Sequence, residues 1–130
     1  MKSLLAFTVA GLLLGATACT SKPSEPPPAP SAGASAPLGP PAGAAADVAK
    51  AINDGNGHYA LGHHDAAADG YEKALAANPN SAEAHFNLGL ALDQMGHHEE
   101  AAVHFEEAQR LGAGNPAITG SEILKKHTGG

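Results

Sequence analysis

The apolar and polar positions between residues 48 and 115 form a pattern that occurs twice, because residues 48–81 fall onto residues 82–115 after a shift of 34 places. Large apolar residues meet in this alignment, with Ile52 opposite Phe86 and Tyr71 opposite Phe105. Nine positions are identical, and they include a Gly-His-His turn in each copy. A period of this length is typical of stacked helical hairpins, so the pattern predicts an all-α fold.

Helix start and stop signals divide this region into two helices per copy. Gly62 and Gly96 stand where a left-handed residue closes a helix. Asn115-Pro116 starts a further helix with a cap and a proline at the first helical position. The predicted domain spans 47–127 as two hairpins stacked in a short solenoid plus a C-terminal capping helix. The predicted helices run from a cap at Asp47 to Leu61, over 65–77, over 82–95 with Ser81 as the cap, over 99–111, and over 116–126.

The first 18 residues have the pattern of a secretory signal peptide. Lys2 precedes an apolar run from Leu4 to Gly15, which is about 12 residues long and too short to cross a bilayer core of roughly 30 Å. Small residues then precede Cys19, and this arrangement resembles the bacterial lipoprotein signal. The resemblance implies cleavage before Cys19 and lipidation of its thiol, which anchors the mature chain in a lipid bilayer. An ordinary signal peptide that leaves a free thiol is the alternative.

The expected location follows from the residues around this cysteine. Cys19 is the only cysteine, so the chain forms no intramolecular disulfide. Thr20 follows it, where an aspartate indicates inner-membrane retention in bacterial lipoproteins. We therefore expect a lipid-anchored protein of the bacterial cell envelope, held at the outer membrane and facing the periplasm.

Residues 19–46 connect the predicted anchor to the repeats. The 27 residues that follow Cys19 contain eight prolines and almost no bulky apolar residue. A segment of this composition buries too little surface to offset its chain entropy, so we predict a disordered tether. It reaches at most ~80 Å in a polyproline-like conformation and nearer ~30 Å as a flexible coil.

Charge excludes one class of partner. From Asp47 onward the chain has five Lys or Arg and twelve Asp or Glu, so its net charge is about −7 with neutral histidines. This surface repels phosphates, and no basic stripe or aromatic platform offsets the repulsion. We expect no nucleic-acid partner.

The second copy resembles a tetratricopeptide repeat. The family pattern of Leu-Gly, a large residue, and then small, large and small residues is filled in order by Leu88-Gly89, Leu92, Ala101, Phe105 and Ala108. The first copy matches it at Gly55, Ala67, Tyr71, Ala74 and Pro79. The resemblance covers about 70 of the 130 residues. It implies antiparallel hairpins that bind a protein or peptide partner.

In this family the inner helix of each hairpin lines a concave groove that often receives a peptide. Asn56 and Gln94 are suited to pair with the backbone of an extended peptide. The alternative is that Ile52, Phe86 and Leu90 are core residues or are covered by the C-terminal helix. Carried over by position, the predicted groove contains Ile52, Asn56, Tyr59, Ala60, Glu83, Phe86, Leu90, Asp93 and Gln94.

The sequence thus predicts a membrane-anchored adaptor or scaffold that binds a protein or peptide partner in the bacterial envelope. The chain resembles the small repeat lipoproteins that support assembly of secretion, pilus or outer-membrane complexes. A purely structural accessory subunit and a histidine-rich metal-binding envelope protein are the alternatives. The oligomeric state stays open.

Eight histidines are many for 130 residues, and four of them form adjacent pairs in the repeat turns. Adjacent imidazoles bind zinc, copper or nickel, so His63, His64, His97 and His98 are candidate metal ligands. Duplication of the repeat explains the two pairs without a metal, and packed helices place successive turns roughly 10 Å apart. We therefore expect no cofactor.

The sequence predicts no catalytic residue. His98-Glu99 begins like a zincin helix, but Ala102 stands where that motif needs its second histidine. The chain has no Gly-x-Ser-x-Gly elbow and no glycine-rich phosphate loop ending in Lys-Ser or Lys-Thr. We expect no enzyme activity.

Overall fold

The computed structural model describes residues 36–129, and this range contains six helices and no strand. The predicted all-α fold is confirmed. The predicted signal peptide, Cys19 and the tether up to residue 35 lie outside the described residues. Within residues 36–129, none of the helices is both long enough and apolar enough to cross a bilayer. The helices are α1 (Ala46–Ala60), α2 (His64–Ala77), α3 (Ala82–Gln94), α4 (His98–Leu111), α5 (Pro116–Thr119) and α6 (Glu122–Thr128).

Two helical hairpins form where a glycine on one helix admits an aromatic ring from the next. Helix α1 packs against α2, and α3 packs against α4. A Cβ atom built on Gly55 would lie 2.6 Å from Cε1 of Tyr71, and one built on Gly89 would lie 2.8 Å from Cε1 of Phe105. The ring therefore occupies the space that the missing side chain leaves. The glycine–aromatic pair is the packing unit that the 34-residue repeat preserves.

The core extends from α1 to α6 because α2 also packs against α3 and α4 against α6. Phe86 and Phe105 meet edge to face, with ring centroids 5.7 Å apart and planes at 61°. Each fully buried side chain of leucine or phenylalanine size contributes about 1.5–3 kcal/mol of transfer free energy. The larger buried apolar side chains are Val48, Ile52, Tyr71, Phe86, Leu88, Leu90, Leu92, Phe105, Ile118 and Leu124.

The predicted helix-closing glycines are confirmed. Gly62 has φ 77° and Gly96 has φ 84°, a left-handed conformation that glycine adopts without strain. Ser81 also caps α3 as predicted, since its side-chain oxygen accepts a hydrogen bond from the backbone N–H of Ala84 at 3.3 Å.

The predicted cap of the first helix is wrong. Ala45 holds the N-cap position of α1 and makes no side-chain cap hydrogen bond. Asp47 lies in the first turn instead, where its Oδ1 accepts from the backbone N–H of Val48 at 2.9 Å. A carboxylate in the first turn is stabilised by the positive end of the helix dipole, so Asp47 favours helix initiation from inside the helix.

The predicted single helix over 116–126 is divided into α5 and α6. The N–H of Gly120 bonds to the carbonyl of Pro116 at 2.9 Å, and Ser121 is extended with φ −68° and ψ 126°, so the helix ends and restarts there. The two pieces still cover the end of the core, because Ile118 and Leu124 are fully buried.

The C-terminal segment occupies the place at which a third repeat would begin. Leu124 lies 34 residues after Leu90, and both side chains are fully buried. Helix α6 packs against α4 as α3 packs against α2. Positions 59, 93 and 127 are therefore equivalent places in successive repeats.

Candidate binding groove

A stretch of the chain itself lies against helices α1 and α3. The N–H of Leu38 donates to Oδ1 of Asn87 at 2.6 Å. The carbonyl of Leu38 accepts from Nδ2 of Asn87 at 2.7 Å and from Nδ2 of Asn56 at 3.0 Å. Every residue except proline carries this N–H and C=O pair, so these two side chains hold main-chain groups that any peptide offers. We call Asn56, Asn87 and the hydroxyl of Tyr71 the asparagine site.

The Leu38 side chain adds an apolar contact to these hydrogen bonds. It is partly buried and packs against the main hydrophobic core. Leu38 lies between Pro37 and Gly39-Pro40, and its neighbours Ala36 and Gly39, which each directly precede a proline, favour extended conformations. The composition of 19–46 predicted a disordered tether, and Leu38 is its one bulky apolar residue. This residue docks the end of the tether.

Tyr71 fixes the orientation of the Asn56 amide. Its hydroxyl donates to Oδ1 of Asn56 at 2.9 Å, and Nδ2 of Asn87 donates to the same oxygen at 3.2 Å. Because the Asn56 oxygen receives both donors, its NH₂ group faces the carbonyl of Leu38. Burial raises the pKa of Tyr71 above its usual value, so the hydroxyl keeps its proton at neutral pH.

Three predicted groove residues belong to the core. Ile52 and Leu90 are fully buried, and Phe86 is 2% exposed. Their side chains pack inside the helix stack, which is the alternative named for them above. They support the groove from beneath and are not available at its surface in this conformation.

The other predicted groove residues lie nearer the surface. Glu83 is partly buried and accepts a hydrogen bond from Nδ2 of Asn115 at 3.2 Å, while Ala60 and Gln94 are exposed. Burial, and secondly the negative charge of Asp93, raises the pKa of Tyr59, which places the two side chains in one electrostatic environment.

Sequence reasoning missed Asn87 and Leu38. Asn87 is fully buried, and a buried amide needs hydrogen-bond partners. The signal that could have found it is the identity between Asn87 and Asn53, its equivalent in the first copy. Asn53 is exposed. The identity of the two asparagines therefore does not indicate which of them binds a main-chain segment.

The first predicted histidine pair makes aromatic contacts. His63 lies 6.2 Å from the ring of His58, centroid to centroid, and His64 meets Tyr59 edge-on at 5.0 Å. Neither residue belongs to a cluster of three potential metal ligands in the described part of the chain.

The second pair faces carboxylates. Nδ1 of His97 lies 3.2 Å from Oε2 of Glu100, and Nδ1 of His98 lies 2.8 Å from Oδ1 of Asp93. The two predicted pairs therefore have different surroundings, although the turns that carry them are identical in sequence. His98 also lies near the imidazole of His127, with ring centroids 6.0 Å apart.

Comparison with protein families gives a match over residues 52–116 to the tetratricopeptide repeat. The chain belongs to the tetratricopeptide repeat family. A comparison with curated proteins gives no significant match. Tetratricopeptide repeats generally bind protein or peptide partners and are typically non-catalytic adaptors. The asparagine site therefore holds a main-chain segment of the chain itself, on a scaffold whose family generally binds proteins or peptides.

Proposed function

We propose that this tetratricopeptide protein is a membrane-anchored adaptor of the bacterial cell envelope that binds an extended peptide segment of a partner protein at the asparagine site. The proposal depends mainly on one observation. The side-chain amides of Asn56 and Asn87 form hydrogen bonds with the main-chain N–H and C=O of Leu38. Adding an extended segment through main-chain hydrogen bonds is a recurrent mode of peptide recognition.

The Leu38 segment defines the chemistry of the partner. The partner presents an extended backbone and a leucine-sized apolar side chain that packs where Leu38 now packs against the core. Prolines beside that residue favour binding, because they reduce the conformational entropy lost when the peptide becomes ordered. Amide side chains set the position of the peptide backbone, and the apolar contact selects the residue.

The chain's own segment competes with the partner. Leu38 is eight residues from the first residue of α1, and a short linker gives an effective concentration in the millimolar range. With Leu38 docked, the 19 residues back to Cys19 reach at most ~60 Å, against ~80 Å when the whole tether is free. Partner binding would thus release the tether and extend the reach of the domain from the membrane.

The sequence supports the envelope context. Cys19 follows a signal-like segment, and a proline-rich tether separates it from the repeats. Small repeat lipoproteins with this arrangement support assembly of secretion, pilus or outer-membrane complexes, and we propose a role of that class. Replacing Cys19 with serine should abolish lipid labelling and move the chain from the membrane to the soluble fraction, whereas labelling that persists would exclude Cys19 as the anchor.

Peptide binding is tested with a fluorescent probe that copies residues 34–42. The Leu38→Asp chain, whose own segment cannot pack, should bind the probe at least tenfold more tightly than the unmodified chain. Adding Asn87→Ala should weaken this binding at least tenfold. A probe with aspartate in place of leucine is the matched control and should not bind. Equal probe affinity with and without Asn87 would contradict the proposed site.

A further inference from the structure

We propose that Asp93, His98 and His127 form a binding site for a divalent first-row transition metal ion. Zn²⁺ and Ni²⁺ are the ions that we expect to bind. Oδ1 of Asp93 lies 2.8 Å from Nδ1 of His98 and 2.9 Å from Nε2 of His127. The three ligand atoms lie within 4.8 Å of one another, and residues 36–129 contain one such set. Imidazole nitrogen and carboxylate oxygen are the donors that these ions take in proteins.

Hydrogen bonding does not account for the position of His127. Its side chain is 10% exposed, and its Nε2 is buried without a hydrogen-bond partner although Oδ1 of Asp93 is 2.9 Å away. The short distance therefore lacks the direction that a hydrogen bond needs. Buried polar atoms are nearly always satisfied, and a metal ion between the three side chains would satisfy this nitrogen.

The surrounding rings hold the histidines in place for a common ligand. The rings of His98 and His127 are stacked with their planes at 25°, and the His127 ring lies 5.2 Å from that of Phe105. Phe105 is fully buried, so it anchors His127 to the core. Each of the two nearly parallel imidazoles thus places one nitrogen close to the same carboxylate oxygen.

Metal binding requires a rearrangement of these side chains. Tetrahedral ligands bonded at about 2.0–2.1 Å lie about 3.3 Å apart, so Oδ1 of Asp93 needs to move away from each histidine nitrogen by about 0.5 Å. The two nitrogens lie within 4.8 Å of each other and need to reach the same spacing. Three protein ligands leave an open coordination position for water. The His98 side chain is 64% exposed, and the ion can therefore enter from solvent.

The differences between the two copies explain why residues 36–129 contain one such site. Tyr59 is the equivalent of Asp93 in the first copy, and His64 is the equivalent of His98. The first copy therefore has the imidazole but a phenol where the second has a carboxylate. In the described part of the chain these three ligands come together only where the second hairpin meets α6. An ion bound there would link the short C-terminal helix to α3 and α4.

Calorimetric titration of the full chain in detergent with ZnCl₂, and separately with NiCl₂, tests the site. We expect one ion per chain at this site, and a loss of affinity of at least tenfold in Asp93→Asn and in His127→Gln. His64→Gln is the matched control because it changes the equivalent histidine of the first copy, and it should bind as the unmodified chain does. Unchanged affinity in Asp93→Asn and His127→Gln, or an equal loss in His64→Gln, would overturn the proposal.

Two measurements on the unmodified chain test it without relying on variants. Co²⁺ should give the visible absorption of a site with nitrogen and oxygen ligands, and Zn²⁺ should displace it. Zn²⁺ should also slow amide hydrogen exchange over residues 122–128, since the ion links α6 to the second hairpin. A featureless Co²⁺ spectrum, or exchange in α6 that Zn²⁺ does not slow, would show that the three side chains hold no metal.

Discussion

Asn87 on α3 and Leu38 on the segment before α1 exchange two hydrogen bonds, with Leu38 N–H to Asn87 Oδ1 at 2.6 Å and Asn87 Nδ2 to Leu38 C=O at 2.7 Å. A side-chain amide here pairs with a main chain as a neighbouring strand would. Because Asn87 is fully buried beneath this contact, the pairing replaces water on both partners.

Asn87→Ala should release the Leu38 segment. The substitution leaves the N–H of Leu38 without its acceptor, and loss of such partners costs about 1–3 kcal/mol. Hydrogen exchange at the Leu38 amide should become as fast as in an unfolded peptide. Asn53→Ala changes the equivalent, exposed residue of the first copy and should leave this amide protected. Equal protection in both variants would show that Asn87 does not hold the segment.

Tyr71→Phe should weaken peptide binding without removing the fold. Phenylalanine fills the same buried space but leaves Oδ1 of Asn56 without the hydroxyl that donates to it at 2.9 Å. Oδ1 of Asn56 then keeps the donor from Nδ2 of Asn87 at 3.2 Å, so we expect a loss of about 1 kcal/mol, measured as a fall in probe affinity of about fivefold. Unchanged affinity would mean that Asn87 alone orients the peptide.

Two alanine substitutions in the inner helices should have opposite effects on stability. In Gly89→Ala the new Cβ would lie 2.8 Å from the Phe105 ring, and overpacking of a core costs about 1–3 kcal/mol. In Gly57→Ala the Cβ meets nothing within 4 Å, and alanine in a helix interior gains about 0.5–1 kcal/mol over glycine. Urea unfolding measures both free energies of unfolding. Equal changes would contradict the proposed role of the glycine–aromatic pair.

His104 should make the domain less stable in mild acid. Burial, and secondly the neighbouring His85, lowers the pKa of His104 below its usual value. As the pH falls, His104 therefore binds a proton in the unfolded chain before it does so in the folded chain. The free energy of unfolding decreases as the pH drops below about 6.5.

The hydrogen bonds around this pair indicate which atoms carry protons. Nε2 of His85 lies 3.0 Å from the carbonyl of Pro79, which only accepts, so this nitrogen donates. Nδ1 of neutral His85 then accepts from Nδ1 of His104 at 3.0 Å. His104→Gln keeps a donor there and should reduce the loss of stability between pH 7.5 and 5.5. His63→Gln is an exposed control, and an equal reduction in both variants would exclude His104 as the cause.

The helical stack was predictable because its signals are local or repeated. The 34-residue shift that aligns Tyr71 with Phe105 also aligns Gly55 with Gly89. In each copy the aromatic ring fills the space that the glycine leaves. The division of the C-terminal segment at Gly120 was missed because Pro116 and Asn115 favour a helix start, whereas the break depends on Ser121 becoming extended.

The asparagine site was harder to predict. Asn56 was identified from its place on the inner helix, but Asn87 and Leu38 are 49 residues apart and join only in the folded chain. Composition favours disorder around Leu38, and one leucine does not alter that average. The identity of Asn53 and Asn87 conceals a difference in burial that arises from their different neighbours in the stack.

The central claim is that the asparagine site binds a peptide through the peptide's main chain. Removing one main-chain N–H from the peptide tests this claim most directly. A probe covering residues 34–42 is made with an ester in place of the amide at leucine, which keeps the side chain and the shape. Against the Leu38→Asp chain, the ester probe should bind about tenfold more weakly than the amide probe. When Asn87→Ala is added, the two probes should bind equally, because the acceptor is then absent. An ester probe that binds as tightly as the amide probe to the chain with Asn87 intact would contradict the account.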